Sequence, residues 1–534
     1  MNNEHRKVGR ALTVRSLVIG SVGSIFITTS SLYIALKMSS LPWPIIFVAL
    51  ASMFSLKSLG QTNFGEINVT HTAMSAGAMV AGGLAFTIPG ILILHPGESL
   101  NFRAVMVCSV GGTVLGLIFT ALIRKYFIEE KGLDYPMGEA AAETLYAGDE
   151  GGRKSRLLFG TMGFSMVFTW LRDRMALFPA TVMSKTMGAY GSSCGFYFSP
   201  MLIGIGYILG PALLAVWFFG AVLGDGVILF LGQKLGFYDL ATATAIKSSL
   251  GVGLMVGTGL GILLKGILPK AKEIALAAAR REESVLSGRW MIILAVVAAA
   301  AFTYFCNLGP AASVLVILGT WFATAMSAEC VGQTGINPME IFGILILLFV
   351  RMLTSVGETE AFYIAAIVAV AAGLTGDVMN DFRAGHIMKT PAKDQWIGEA
   401  VGGLIGSVTA VFALYMILRA YGSEAIGGEL FPAAQAATVA SMVGGISHLP
   451  AFIIGIVAAA ILYMIGFPVM TLGLGVYLPS YMSLTAALGG LLRWLVGRFR
   501  AESEEKGTII ASGFLGGEGI TGVAISFLIA FGMM

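Results

Sequence analysis

Long apolar runs separated by short polar breaks are the dominant pattern of this chain. They recur from Leu17 to Phe531 and measure about 20 residues, the length that an α-helix needs to cross a bilayer. The pattern predicts an all-α membrane protein with many crossings and no separate water-soluble domain. The expected crossings of the first half are 16–37, 41–59, 66–94, 102–123, 157–174, 196–211, 212–232 and 243–264, with 135–148 and 176–195 as short or re-entrant segments.

The composition also argues against a water-soluble fold. Of the 534 residues, 56% are hydrophobic and 12% are charged, and the mean hydropathy is +0.84. The formal net charge of +3 comes from residues in short loops rather than from a long basic tract, so nothing indicates nucleic acid. The four cysteines are far apart and form neither a disulfide framework nor a Cys-x-x-Cys metal motif, so we expect them to be packing residues.

Lysine and arginine cluster in four places, at the N-terminus and within 124–156, 265–289 and 493–506. Because cytoplasmic loops carry an excess of these residues, all four clusters should be cytoplasmic. The apolar span after the basic N-terminus is longer than the core of a secretory signal peptide, so we expect that segment to be retained. The expectation is a multi-pass protein of the inner (cytoplasmic) membrane with a cytoplasmic N-terminus.

Self-comparison of the chain indicates an internal duplication. FGEINVTHTAMSAG, YPMGEAA, IGIGYILGP and GLMVGTG match TGDVMNDFRAGH, FPAAQAA, LGLGVYLPS and GFLGGEG in the same order. We assign 1–264 to an N-terminal repeat, 265–308 to a basic cytoplasmic linker with an extra connecting helix, and 309–534 to a C-terminal repeat. One unpaired crossing would invert the second repeat, and loop charges favour that arrangement, which is typical of secondary transporters. Merging or splitting one Gly-rich segment would restore a parallel arrangement.

The main candidates for chemistry are polar and ionisable residues inside apolar helices, where they persist mainly if they face a polar pathway. Glu66 opens a helix that continues with Asn68 and His71. Its repeat partner Asp377 is followed one turn later by Asp381. Such carboxylates could take up and release a proton during a transport cycle or contact the substrate. For Glu66 the alternative is a helix N-cap that accepts backbone N–H bonds.

Five further residues are candidates with ordinary structural alternatives. Arg383 could grip a substrate carboxylate, although an internal salt bridge or a cytoplasmic helix end is the simpler interpretation. Glu139 lies in a short helix whose positive N-terminus would suit an anionic substrate. Glu518, in the Gly-rich last helix, is a second-rank proton site. Tyr207 and Tyr477 stand at paired Gly/Pro breaks that point to a transport site, but interface anchoring is the commoner role of tyrosine.

Several of these segments resemble a known family. EINVTHTAMSAGAMVAGGLAFTIPGI, YPMGEAAAETL, SPMLIGIGYILGP, QTGINPMEIFG, GDVMNDFRAGHIM, GLGVYLPS and GFLGGEGITGV are similar to motifs of the oligopeptide transporter (OPT) family, in its prokaryotic branch close to the yellow stripe-like (YSL) transporters. The resemblance spans nearly the whole length. It implies about 16 to 17 transmembrane helices in a secondary transporter that carries peptides or metal chelates inward with protons, and no ATP-binding module.

The resulting hypothesis is a secondary active transporter that imports small oligopeptides by proton symport with alternating access. The alternative cargo is a metal complex of a siderophore-like or nicotianamine-like chelator, which would supply the metal ligands itself, so no protein metal site is expected. A channel should show selectivity-filter repeats, and an enzyme should show a motif such as HExxH or GxSxG in a supporting context; neither is found. No cofactor is expected beyond the proton gradient, and a homodimer is left open.

Overall fold

The computed structural model describes residues 10–38, 41, 45–147, 152–262, 264, 265, 269, 272, 288–334 and 337–533. The linker residues 273–287 therefore lie outside the described part of the chain. The helices are α1 (Val14–Met38), α2 (Ile45–Ser58), α3 (Phe64–Ala85), α4 (Pro89–Leu94), α5 (Phe102–Lys125), α6 (Pro136–Ala147), α7 (Arg153–Thr169), α8 (Lys185–Gly188), α9 (Pro200–Leu209), α10 (Pro211–Ala221), α11 (Gly232–Lys234), α12 (Leu240–Ile262), α13 (Gly288–Phe305), α14 (Gly309–Thr334), α15 (Met339–Leu353), α16 (Glu358–Met388), α17 (Ala392–Tyr421), α18 (Ala434–Gly444), α19 (Leu449–Met464), α20 (Val469–Tyr477), α21 (Ser480–Phe499) and α22 (Glu504–Ala530).

The predicted class, an all-α polytopic membrane protein, is confirmed. Nine helices or continuous helix pairs within the described residues are long and apolar enough to cross a bilayer, or ten if the pair α18 and α19, bent by 119°, counts as one span. The resemblance implied about 16 to 17 crossings. The others would have to use shorter helices such as α2 and α9, which have 14 and 10 residues.

Breaks in the helices explain why so many pieces are short. Gly210 lies at φ +86°, a conformation that favours glycine, and Pro211 then starts α10 directly after α9. The corresponding break between α20 and α21 contains Pro479. Three π-helical turns, Tyr126–Glu130, Trp170–Arg174 and Val222–Leu231, continue α5, α7 and α10. The Gly/Pro interruptions seen in the sequence are therefore true helix breaks.

The segment 176–195, expected to be short or re-entrant, forms a small hairpin. Strands β1 (Thr181–Met183) and β2 (Gly195–Tyr197) pair antiparallel, with Thr181 opposite Tyr197. The short helix α8 lies in the connection between them. These two strands are the whole sheet content that the described residues show.

Helix α16 forms the centre of the molecule. The apolar stretch of α16 that is long enough to cross a bilayer is wholly buried inside the protein. The helix packs against α3, α5, α14 and α15. Small residues let backbones approach closely in such a bundle. At Gly402 of α17 a side-chain carbon would overlap the carbonyl oxygen of Ala73 in α3, so this position requires glycine. That contact brings α17 directly against α3.

Helix contacts in the two halves correspond to one another. The four sequence matches fall on or at the start of α3 and α16, α6 and α18, α9 and α20, and α12 and α22. In one pair of corresponding contacts, α3 packs on α17 and α16 packs on α5. In a second pair, α12 packs on α19 and α22 packs on α7. Likewise α12 contacts α20 as α22 contacts α9. The repeat boundaries at 264 and 309, and the inversion of one repeat, stay predictions.

Two short helices, α6 and α18, begin in the same unusual way. Tyr135 and Ala433 immediately precede them at φ +46° and +44°. The N–H of Tyr135 donates to the carbonyl of Gly332 in α14, and that of Ala433 donates to the carbonyl of Leu36 in α1, each at 3.0 Å. Each short helix therefore starts at the C-terminal part of a long helix of the other half of the chain.

The cysteines are all free thiols. Cys108 and Cys306 nevertheless lie side by side, with their Sγ atoms 3.6 Å apart between α5 and the end of α13. The sequence separation of 198 residues concealed this pair. Both side chains are buried in the main apolar core, as expected for packing residues.

Candidate functional site

Three buried carboxylates meet where α16 and α17 pass each other. Asp377 and Asp381 lie one turn apart on α16, and Glu399 faces them from α17. One oxygen of each lies within 4.8 Å of the others. None of the three residues is more than 1% exposed. Sequence analysis singled out the two aspartates and missed Glu399.

A histidine from a third helix completes this group, which we call the acid cluster: His71, Asp377, Asp381 and Glu399. The Nδ1 atom of His71, on α3, lies 3.5 Å from Oδ1 of Asp381, and its side chain is fully buried. Three helices that are distant in sequence thus converge on one point. Close packing of α3 on α17 at Gly402 brings the segment of α17 that carries Glu399 next to the segment of α3 that carries His71.

Most polar atoms of the acid cluster lack hydrogen-bond partners. Both carboxylate oxygens of Asp377 and of Glu399, and both ring nitrogens of His71, are buried without one. Among the described residues, no lysine or arginine forms an ion pair with any member. Buried polar groups are nearly always hydrogen-bonded, and each exception needs a physical explanation such as a bound ion or a catalytic role. The acid cluster therefore holds six of the buried polar atoms that lack a partner in the described part of the chain.

Asp381 is the one member that is held in place. Ser75 donates to its Oδ2 at 2.9 Å. The side chain of Gln395 donates to its backbone carbonyl at 2.7 Å. Since these two partners come from α3 and α17, they fix Asp381 at the junction of the three helices while leaving its Oδ1 directed at His71.

Glu66 is placed differently from its expected partner Asp377. It lies in the first turn of α3 and accepts hydrogen bonds from the hydroxyls of Thr13 and Thr62, at 2.7 and 2.8 Å. Arg15 adds a bidentate ion pair at 3.1 and 2.5 Å. Asn63, rather than Glu66, provides the N-cap of α3. Glu66 thus has the surroundings of a structural ion pair, and its part in coupling stays a prediction.

Arg383 and Glu139 form an ion pair between α16 and the short helix α6, with Nη2 to Oε1 at 2.7 Å. The internal salt bridge that the sequence allowed for Arg383 is what the structure shows. Asn380 strengthens the same junction by accepting the N–H of Gly138 at 3.1 Å. Asn68, on α3, donates to Thr390 at 3.1 Å. These residues surround the acid cluster and connect α3, α6 and α16.

Glu518 belongs to a second buried centre, distinct from the acid cluster. Its carboxylate accepts from Arg172 at 3.0 Å and from the Ser199 hydroxyl at 2.9 and 2.8 Å. It also accepts the N–H of Met201, in the first turn of α9, at 3.0 Å. Asp173 accepts two further hydrogen bonds from Arg172, both of 2.6 Å. We call this group the Arg172 centre; every charge in it has a partner.

The two tyrosines at the helix breaks lie outside both centres. Tyr207 lines a surface cavity and donates weakly to the carbonyl of Glu504 at 3.4 Å. Tyr477 packs its Cβ against Gly251 of α12. The structure therefore brings together Asp377, Asp381 and His71 from the predicted set, and separates them from Glu518 and the tyrosines.

Sequence reasoning also missed Lys37 and Asp225, two other buried charges. Lys37, at the end of α1, donates to the phenols of Tyr197 and Tyr33 at 2.5 and 3.2 Å. Asp225 pairs with Lys247 and accepts from the hydroxyls of two serines in different segments. Each stands inside an apolar run and could have been found by the rule that pointed to Asp377.

The fold and the buried acids define a polytopic membrane transporter. The family model for the OPT oligopeptide transporter protein matches residues 11–529. The chain belongs to the OPT family, as its motifs indicated, and it is a transporter and not an enzyme.

Relatives with curated names match most of the chain. A Haemophilus influenzae protein named for oligopeptide transport is 24% identical, over 93% of this chain and 92% of its own. A protein of Oryza sativa subsp. japonica named for metal-nicotianamine transport is 22% identical, over 76% of this chain and 67% of its own. A metal-nicotianamine transporter of Arabidopsis thaliana is 23% identical, over 58% of this chain and 53% of its own.

Proposed function

We propose that this chain is a secondary active transporter that imports small oligopeptides by proton symport, with the acid cluster as its coupling site. The observation that carries the proposal is the unpaired state of Asp377 and Glu399 inside the helix bundle. Ionisable groups within membrane helices are costly and mark ion pathways and proton relays. A site that must bind and release protons needs carboxylates that no lysine or arginine neutralises permanently.

Electrostatics support protonation of this cluster. Carboxylates that share one dry site repel each other when all are ionised, so such groups hold protons between them. The oxygens of Asp377, Asp381 and Glu399 lie within 4.8 Å of one another. Uptake of a proton removes one negative charge and weakens repulsion between α16 and α17, whereas release restores it. Protonation thereby biases the relative position of two helices from the same bundle.

The short helices α6 and α18 support a cargo that carries a carboxylate. The N-terminus of a helix carries partial positive charge and binds anions. Both helices start inside the bundle, next to the C-terminal parts of α14 and α1. Glu139, in the first turn of α6, and Arg383 flank one of these starts. A peptide C-terminus directed at the start of α18 would find positive potential with no acidic side chain in the first turn, whereas at α6 Arg383 offsets the carboxylate of Glu139.

The correspondence between the two halves supports alternating access. Because α3 meets α17 as α16 meets α5, the same contact exists in two copies. Exchanging the conformations of two related halves opens a central site to either side of the membrane. We place the chain in the cytoplasmic membrane with its N-terminus inside, on the basis of its basic loops. No cofactor besides the proton gradient is required, and a homodimer remains compatible with this scheme.

A metal chelate is the second candidate cargo. The names of the Oryza sativa and Arabidopsis thaliana relatives favour it, since they state metal-nicotianamine transport. The Haemophilus influenzae relative, which matches more of the chain, favours peptides. The two cargoes share carboxylates, and α6 and α18 would suit either.

Uptake into proteoliposomes tests the function. Labelled tri- to pentapeptides and ferric or nickel chelates are compared with and without an inward proton gradient. We expect a peptide to be taken up against its concentration gradient, and we expect a protonophore to abolish that uptake. Asp377→Asn and Glu399→Gln should lower gradient-driven uptake by at least about tenfold, while Glu358→Gln, an exposed acid, serves as the control. Full gradient-driven uptake by both cluster variants would refute the coupling site.

A further inference from the structure

We propose that the acid cluster binds a divalent first-row transition-metal ion through Asp377, Asp381, Glu399 and His71. The proposal rests on the proposed function only in taking these residues as part of the transport route. It adds a ligand that neither the family nor the names of the relatives assign to the protein itself. It also departs from the sequence-based expectation that only a chelator would supply metal ligands.

The donor set is the first argument. Three carboxylates and one imidazole form a mixed oxygen and nitrogen site, the set used for Zn²⁺, Fe²⁺ and Mn²⁺. In a tetrahedral site with bonds of about 2.1 Å, ligand atoms lie about 3.4 Å apart. Nδ1 of His71 is already 3.5 Å from Oδ1 of Asp381. Oxygens of Asp377, Asp381 and Glu399 lie within 4.8 Å of one another, so the three carboxylates surround one point that an ion could occupy, with His71 beside it through Asp381.

The unpartnered histidine is the second and independent argument. His71 is fully buried and neither ring nitrogen has a hydrogen-bond partner. An imidazole that served packing alone would leave two buried polar atoms unsatisfied, which is unfavourable. A metal bond through Nδ1, the ring nitrogen that lies 3.5 Å from Asp381, would satisfy one of them. Acidic residues alone would have carried no such inference.

Supporting contacts of the kind found at metal sites are also present. Ligands are usually oriented by outer hydrogen bonds, and Asp381 receives one from Ser75 and one, at its backbone, from Gln395. The charged groups that face the cluster are its own three carboxylates and His71. The nearby cation Arg383 is engaged by Glu139 on α6. A divalent ion would therefore neutralise charge that no side chain in the described part of the chain balances.

Cobalt titration of the full-length protein in lipid nanodiscs tests the site. Co²⁺ reports its own coordination through visible absorption, independently of transport. We expect one ion per chain and an intensified absorption typical of low coordination number. Asp377→Asn should weaken the affinity by at least about tenfold, and His71→Asn should shift the absorption bands because a nitrogen ligand is lost.

The chain offers a matched control in the exposed pair His95 and Glu358, whose atoms lie 3.1 Å apart. His95→Asn and Glu358→Gln should leave the cobalt spectrum unchanged. If Asp377→Asn fails to fold, Glu399→Gln decides the matter, because it removes another of the proposed ligands. The spectrum of the hydrated ion, or equal binding in cluster and control variants, would overturn the metal site. Proton-driven uptake that persists without cobalt binding would refute this site alone and leave the proposed function intact.

Discussion

The acid cluster and the Arg172 centre are both buried in membrane helices, yet they solve the problem of buried charge in opposite ways. In the Arg172 centre, Glu518 receives an arginine, a hydroxyl and a backbone N–H. In the acid cluster, Asp377 and Glu399 form no ion pair with any lysine or arginine in the described part of the chain. A fully paired buried charge fixes structure, whereas an unpaired one leaves a demand that a proton or a cation can meet.

The positions of the two centres agree with this difference. Glu518 joins the start of α9 to α22, and Arg172 extends from the π-helical turn after α7, so their ion pair fastens three elements together. The acid cluster lies on α16, whose surroundings belong to both halves of the chain. We expect the first centre to control stability and the second to control transport.

Glu518→Ala should have the largest effect on stability. It leaves Arg172 buried with Asp173 alone and removes the acceptor at the start of α9. Removing one partner of a buried ion pair costs about 3–5 kcal/mol. Thermal unfolding of the purified protein in detergent measures the loss.

Glu399→Gln is the matched variant for that experiment, because it removes a buried carboxylate that has no ion-pair partner. Its free energy of unfolding should stay within about 1 kcal/mol of that of the unmodified protein. Equal destabilisation by the two variants would abolish the distinction between the centres.

Gly402→Ala should have the next largest effect. The added methyl group would overlap the carbonyl of Ala73 and push α17 away from α3. Overpacking of this kind costs about 1–3 kcal/mol. Because Glu399 then moves away from His71, proton-driven uptake should fall together with stability. Gly428→Ala, near the surface with ordinary space around it, is the control. Normal uptake by Gly402→Ala would show that the spacing of α3 and α17 does not matter for coupling.

Exchanging the charges of Glu139 and Arg383 should have a smaller effect. Glu139 and Arg383 are 42% and 19% exposed, and partly exposed ion pairs contribute about 1 kcal/mol or less. Arg383→Glu should lower uptake, and the double variant Glu139→Arg with Arg383→Glu should restore it if the arginine serves α6 packing. Failure of the double variant to recover, with KM raised, would instead make Arg383 a substrate ligand.

The class of the protein and part of the site were predictable from the sequence because they depend on local patterns. Apolar runs and broken helices are written in consecutive residues, and Asp377 with Asp381 stands out in an apolar helix. Glu399 was missed although it meets the same criterion, since it too stands in an apolar helix. Helix α17 approaches α3 at Gly402, close to Glu399. This is a long-range contact, which local sequence patterns do not show.

The same limit explains the assignment of Glu66. Repeat alignment placed it opposite Asp377, but alignment does not show that Arg15 and two threonines surround it. Whether a buried acid is paired depends on side chains from distant segments. Sequence therefore identifies acids in membrane helices well, and distinguishes structural from functional ones poorly.

The smallest effect is expected at the exposed pair His95 and Glu358, which combines a histidine and a carboxylate as the acid cluster does. His95 and Glu358 approach to 3.1 Å but are 40% and 46% exposed, so water already solvates both. Exposed pairs contribute between about 0 and 1 kcal/mol. Glu358→Gln should change the unfolding temperature and the proton-driven uptake by no more than experimental error, while Asp381→Asn, which alters the buried pair with His71, abolishes uptake. If the exposed variant impaired uptake equally, burial could not be what separates a coupling carboxylate from an ordinary one.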